Sequence, residues 1–474
     1  MSGASTSDSL SESVILDLIS SYESKTQIND KAVDSYTLII DKTTIEVQSP
    51  RLIPVISQIL LDKECARIDP YQVLLGLLEK ILSFLTFQEI LNYYPKDFIL
   101  ENLYQSSSIV CILCLKIIIL NLHQPETQNF LHQNQVVTGL MELYFDPGTT
   151  NIAVLNQIEL LAKKLEKEEM NLLDGSNELF FAIRKSKDAI LLARFLNLFI
   201  ILLPKMSQIN ESLYLFTKSE ILLVKDDALF LILLVQFYTR LIDSDLKISP
   251  ALNDLLTIFK SDDDELELEE IVKLEMVDLI AKMSYSNYTP ALDKFELFKT
   301  HNLIKLFEKD QVDIKLLSRS NPNVIYGLNP SIFSDVLIHL PLFDDRYFPI
   351  LLNSINCFHI WQSLEPKLSY EKLQLLPKDK LYTLLLAMSK LDYGRTYLFN
   401  HLPNIVVNEL IESDIRNNEI WKLKLQILQV LNSTESVPGF EYWKEKLEES
   451  YNTMRFGQNY KNIQPKVEVV DETA

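Results

Sequence analysis

A chain of 474 residues with 47% hydrophobic content is long enough for two or three ordinary domains or one elongated array. Only 9 residues are glycine, too few to favour Rossmann turns, phosphate loops or tight hairpins, all of which need backbone freedom. A net charge of −20 leaves no visible basic footprint for displacing counterions from a duplex, so direct nucleic-acid binding is not expected. An acidic surface suits a basic protein partner, or simple solubility.

Leu and Ile dominate the apolar residues, and Pro, Asn, Asp and Ser make the breaks, which favours an all-α chain. The first residues, MSGASTSDSLSES, are polar and acidic, unlike a targeting segment. Residues 1–9 are expected to be disordered. Leu10–Tyr22 reads as a first amphipathic helix. Tyr36–Val47 is rich in β-branched residues and leaves two readings open, a frayed helix or an extended connection. Arg51–Leu61 returns to helix.

From there a rhythm sets in. Apolar helices begin near Tyr71, Ser107, Asn151, Asp188, Asp227 and Glu267, at intervals of roughly 36 to 44 residues. HEAT and armadillo repeats run to about 40–47 residues, whereas a tetratricopeptide array would hold to about 34. Shorter helices, Gln135–Tyr144, Asn177–Ile183 and Ser207–Val224, precede the longer ones. The stretch Leu213–Ile242 shows the unit most clearly: a short helix, a break at Lys225-Asp226-Asp227, and a long helix from Ala228 whose polar residues Gln236, Thr239 and Arg240 fall on one stripe. A helix this apolar must be covered on most sides, yet its apolar run is far below the ~20 residues a bilayer needs. The acidic run Ser261–Glu270 reads as a solvated loop leading into a helix N-terminus, with a docking lip for a basic partner as the functional alternative. Ser284–Pro290 and Ser318–Pro330 read as loops. Helices resume at Ser331–His339, Tyr347–Trp361, Tyr370–Tyr393, Leu402–Ser413, Asn417–Asn432 and Phe440–Met454. The expected architecture is an α-solenoid of HEAT/armadillo-like helix pairs forming a curved superhelix, one domain over 10–455 with a frayed tail over 456–474.

Catalytic signatures are missing. There is no GxxxxGK[ST] and no HExxH, and the six histidines are scattered. Cys111 and Cys114 have CxxC spacing but sit in an apolar helix with no second pair, so they read as core thiols. With only two other cysteines, Cys65 and Cys357, a disulfide scaffold is not expected, and the setting reads as a reducing one, cytoplasmic and also nuclear. No catalytic residue, cofactor or metal is expected. A superhelical stack can instead bind a partner along its inner helices. If the second helix of each repeat lines that groove, its polar stripe faces the partner. The candidates are Glu79 and Lys80; Lys116; Asn156, Glu159 and Lys163; Arg194 and Asn197; Gln236 and Arg240; and Glu275, Asp278 and Lys282. Plain solvation of an outer face is the competing reading.

Several blocks carry a resemblance. Leu213–Asp227 followed by Val235–Ile242, then Met141–Asn151, Tyr393–Val406 and Phe440–Asn462, are similar to the fungal HEAT-repeat chaperones that assemble the base of the proteasome regulatory particle. That family also bears the name DNA mismatch repair protein. The similar blocks run in the same order from roughly Gln135 to Asn462. The resemblance implies a C-shaped stack of helix pairs. It implies binding to the C-terminal small domain of an AAA ATPase subunit of the base, and scaffolding of neighbouring ATPase and non-ATPase subunits, without membrane or direct nucleic-acid contact. It fixes no individual contact residue. A different α-solenoid adaptor, in nuclear transport or in repair, is the main alternative, and an enzyme with an unrecognised all-α site is the third.

Overall fold

The computed structural model describes residues 4–106, 108–206, 209–260, 268–308, 310–433 and 437–457. Among these the secondary structure is helical, with no strand. The helices pack in chain order, each against its near neighbours in sequence, which makes the architecture an all-α solenoid. None is long and apolar enough to cross a membrane. The chain divides into two compact units, Met1–Ala251 and Leu252–Ala474, where the sequence reading drew no boundary.

The first unit opens with α1 (Ala4–Ser24), α2 (Asp30–Ile39) and α3 (Lys42–Leu61). Helix α1 begins ahead of the expected start at Leu10, so Ala4–Ser9 are helical and not disordered. A helix anchored by buried Val14, Ile15 and Leu18 extends back through Ser and Asp residues that helix starts favour. The ambiguous stretch Tyr36–Val47 is also helical. Asp41 interrupts it as an N-cap, its carboxylate accepting from Thr44 N at 2.9 Å, and those hydrogen bonds hold the Asp41 pKa down to about 2. Tertiary burial of Val33, Tyr36 and Ile45 overrides the β-branched propensity.

A series of shorter and longer helices follows: α4 (Val73–Leu82), α5 (Ile109–Asn121), α6 (Val136–Phe145), α7 (Ile152–Lys164), α8 (Asn177–Arg184), α9 (Ala189–Leu202), α10 (Lys218–Leu222) and α11 (Ala228–Leu241). The rhythm read from the sequence holds, because α4, α5, α7, α9 and α11 each start within two residues of the expected position. These five pack one on the next. Side-chain caps set four of the starts: Ser108 accepts from Val110 N, Asn151 from Ala153 N, Asp188 from Ile190 N, and Asp227 from Phe230 N at 2.8 Å. Helix α11 buries Phe230, Leu231, Leu234, Val235, Phe237, Tyr238 and Leu241, but Leu229 stays 65% exposed. Cys111 and Cys114 lie wholly buried in α5, where burial pushes their thiols up to about 11 and about 12; they are core residues, as read.

The second unit contains α12 (Glu270–Ser284), α13 (Gln311–Arg319), α14 (Phe348–Ser354), α15 (Lys378–Ser389), α16 (Asn418–Ser433) and α17 (Lys444–Phe456). Residues 261–267 of the acidic run and 458–474 of the expected tail lie outside the described residues. Ser318–Pro330 is not a loop. It holds a helix over Pro322–Leu328, with Asn321 as the cap and Pro322 in the first turn, so residues read as breakers are helix-start signals. Helices expected as continuous are broken. Tyr347–Trp361 divides before Phe358, and Tyr370–Tyr393 divides at Pro377, which lacks the N–H a helix interior needs.

Polar side chains tie each repeat to the one before. Lys205, just past α9, donates to the carbonyls of Ala162, Lys163 and Leu165 at 3.1, 2.6 and 2.7 Å, closing the C-terminus of α7. Arg194 donates to Tyr144 O, Asp146 O and Thr149 O at 2.9, 3.1 and 2.8 Å, holding the turn that leads into α7. Arg184, 4% exposed, pairs with Glu220, donates to Leu215 O and lies 3.5 Å over the Phe216 ring. In the second unit Asn353 donates to Leu317 O and Ser320 O at the end of α13. Replacing Lys205 by Met leaves three carbonyls without their charged donor. The expected loss is about 2 kcal/mol of stability, read as a lower urea midpoint at unchanged slope.

A second polar knot lies in the other unit. Lys424 on α16 is 2% exposed and donates to Ser413 O and Oγ at 2.8 and 3.0 Å. Burial pushes its pKa down to about 8, against the opposing pull of Glu409 and Asp414. The unfolded chain therefore binds the extra proton over a range where the folded chain does not. The Lys424 contribution to stability should rise from about pH 8 to about 10.5, and pH-dependent unfolding of the Lys424→Met variant should lack that rise.

Candidate interaction surface

The surface of the stacked helices follows from helical spacing. On α7, Ile152, Asn156, Glu159 and Lys163 share one stripe; on α9, Ile190, Arg194 and Asn197; on α11, Leu229, Leu233, Gln236 and Arg240. The bonds at both ends fix the mutual orientation of α7 and α9. Arg194 near the start of α9 meets the turn before α7, and Lys205 past the end of α9 meets the end of α7, so the two run parallel. Their stripes therefore progress in the same direction.

The structure separates the thirteen candidates by what they touch. Glu79 on α4 and Lys116 on α5 form an ion pair with each other, one repeat apart. Glu159 accepts a 2.6 Å hydrogen bond from the Tyr144 hydroxyl, and the buried Tyr144 also reaches Arg194 O. That hydroxyl's pKa is raised, first by burial and then by the Glu159 carboxylate. Arg194 is committed to its three carbonyls. Asp278 on α12 takes Lys315 at 2.8 Å and also Arg319. These five bind the fold itself. Lys80, Asn156, Lys163, Asn197 and Arg240 are exposed, while Gln236, Glu275 and Lys282 are half-buried.

One class of residue escaped sequence reasoning. Each stripe is headed by an aliphatic side chain in the first turn: Ile152 is 71% exposed, Ile190 65%, Leu229 65%, and Ile271 on α12 57%. Ile271, Glu275, Asp278 and Lys282 repeat the order seen on α7. An apolar residue in an apolar helix is assigned to the core by default. The signal that could have found these four was register: each is four or seven residues ahead of a polar member of its own stripe.

The remaining chemistry is sparse. Among the described residues there is no group of three or more His, Cys, Asp or Glu placed to hold a metal ion. His123 meets the Glu169 carboxylate at 3.0 Å, a surface pair distant in sequence.

Comparison with known proteins covers nearly the whole chain. The family model for the N-terminal domain of DNA mismatch repair protein HSM3 matches residues 12–243, and that for its C-terminal domain matches 246–474. The similarity thus extends well ahead of Gln135, where the resemblance in the sequence faded. The C-terminal match also spans Ser284–Pro330. A Candida albicans protein named DNA mismatch repair protein HSM3 is 45% identical, covering 98% of this chain and 100% of its own length. The protein of the same name from Scheffersomyces stipitis is 36% identical over 97% of both chains. That from Debaryomyces hansenii is 30% identical, over 89% of this chain and 87% of its own. The two domain models match in order and meet within a few residues of the boundary between the compact units, and on these matches the chain belongs to the HSM3 family.

Proposed function

We propose that this chain is a non-catalytic chaperone in assembly of the proteasome regulatory particle base. In this reading the stacked helices clasp the C-terminal small domain of an AAA ATPase subunit in a groove. They hold neighbouring ATPase and non-ATPase subunits nearby and release them before the particle matures. The setting is cytoplasmic and also nuclear. The observation that carries the reading is the repeated stripe with an exposed aliphatic head and a polar body on α7, α9 and α11 of the first unit; α12 of the second unit carries a stripe of its own. It supplies apolar anchors with polar surroundings, the composition of a protein-binding face. The family resemblance supplies the partner. On these stripes Asn156, Lys163, Asn197 and Arg240, together with Lys80 on α4, are the proposed polar contacts, because they are exposed. Glu79, Lys116, Glu159, Arg194 and Asp278 reach the partner only indirectly, by holding the stripe in place.

The second reading is a scaffold acting directly in DNA mismatch repair, favoured by the name of the relatives. The net charge of −20 argues against a direct grip on DNA, and an effect on repair through proteasome abundance needs none. A DNA gel shift that weakens steeply with salt would favour the second reading.

Binding of the purified ATPase small domain, measured by titration calorimetry, tests the first. The wild-type chain should bind stoichiometrically. The Ile190→Ser/Leu229→Ser/Arg240→Glu variant should bind at least tenfold more weakly with an unchanged melting curve. Equal binding by the variant removes these stripes from the site. Native purification should recover free base ATPase subunits and no finished proteasome; recovery with the mature particle contradicts a transient chaperone.

A further inference from the structure

An open cleft of about 570 Å³ in the second unit is lined by Leu274, Gln311, Ile314, Lys315, Ser318, Arg319, Arg346 and Pro349. Three of these are cations and none is an acid, in a chain whose net charge is −20. Their convergence is built by the fold. Lys315 and Arg319 are one turn apart on α13, so they share a face. Arg346 comes from the turn ahead of α14, which packs on α13. Asp278 on α12 accepts from both Lys315 and Arg319, one carboxylate against two cations. Arg346 is exposed and makes no hydrogen bond or ion pair among the described residues. Its neighbour Asp345 pairs with Lys380 instead, and Asp344 is exposed beside it. The cleft therefore keeps a positive surplus, with two guanidinium groups suited to bidentate contact with an oxyanion.

The geometry points to a binding site for an acidic peptide segment of a protein partner, carrying clustered carboxylates beside an aliphatic residue. The cleft's size and walls decide between oxyanion sources. It far exceeds the space a single free phosphate fills, and Leu274, Ile314 and Pro349 give it an apolar wall that an inorganic anion has no use for. A carboxylate-bearing peptide with an aliphatic side chain uses both halves. This inference does not rest on the assembly reading. It concerns a cationic site, whereas the chain's overall charge predicts a basic partner.

Fluorescence anisotropy with the full chain and a labelled EELEEL peptide tests it, with QQLQQL as the control. Saturable binding of EELEEL is expected. Binding should be absent for QQLQQL and at least tenfold weaker in 0.5 M NaCl. It should also be at least tenfold weaker for Arg346→Glu, which loses no bond within the fold, and weaker still for Arg319→Glu/Arg346→Glu. No saturable binding, equal binding of QQLQQL, or an unaffected Arg346→Glu variant would overturn the site. Saturation by inorganic pyrophosphate, sensed by calorimetry, without any binding of EELEEL would overturn the peptide assignment.

Discussion

The stack depends on satisfying the carbonyl groups at helix ends that lie between layers. The last turn of an α-helix leaves its carbonyls without N–H donors, and burial makes such orphans expensive. Here the donors come from the following repeat. Lys205 closes the end of α7, Arg194 holds the turn before it, and Asn353 closes the end of α13. The Tyr393 hydroxyl does the same for Ile355 O at 2.8 Å, and Lys380 donates to Phe343 O, in the turn ahead of α14, at 3.0 Å. Each bond spans about one repeat of sequence, so the layers are held in register by directional contacts as well as by oil. Apolar burial alone would tolerate one helix sliding along another; three carbonyls converging on one ammonium group do not.

This constraint explains why the polar stripe is not uniform. A helix face that looks outward also looks toward the next layer at its edges. Side chains near that edge are recruited into inter-layer bonds, as Glu79 with Lys116. Side chains at the middle of the face stay in water, as Asn156, Asn197 and Arg240 do. The same division holds for apolar residues. A first-turn aliphatic projects beyond the cover of its neighbours, while Val154, Leu192, Leu231 and Val272, on other faces of the same helices, are buried.

The two proposed surfaces differ in chemical kind. The stripes present aliphatic anchors with mixed polar company, which suits a folded partner surface. The cleft beside α13 presents cations over an apolar wall, which suits an extended acidic segment.

The sequence by itself determined the helical class, the repeat period, the starts of the long helices and the burial of Cys111 and Cys114. These follow from apolar periodicity and capping residues, which are local properties. It misread Ser318–Pro330, since Asn-Pro opens a helix as readily as it ends one, and it left Tyr36–Val47 open, since β-branched residues accept a helix when burial rewards it. Only the tertiary structure decided which polar residues are bonded between layers, which aliphatic side chains stay in water, and that Lys315, Arg319 and Arg346 meet in one cleft. Those facts depend on how one repeat sits against the next, and helical spacing within a single segment carries no information about the neighbour's surface.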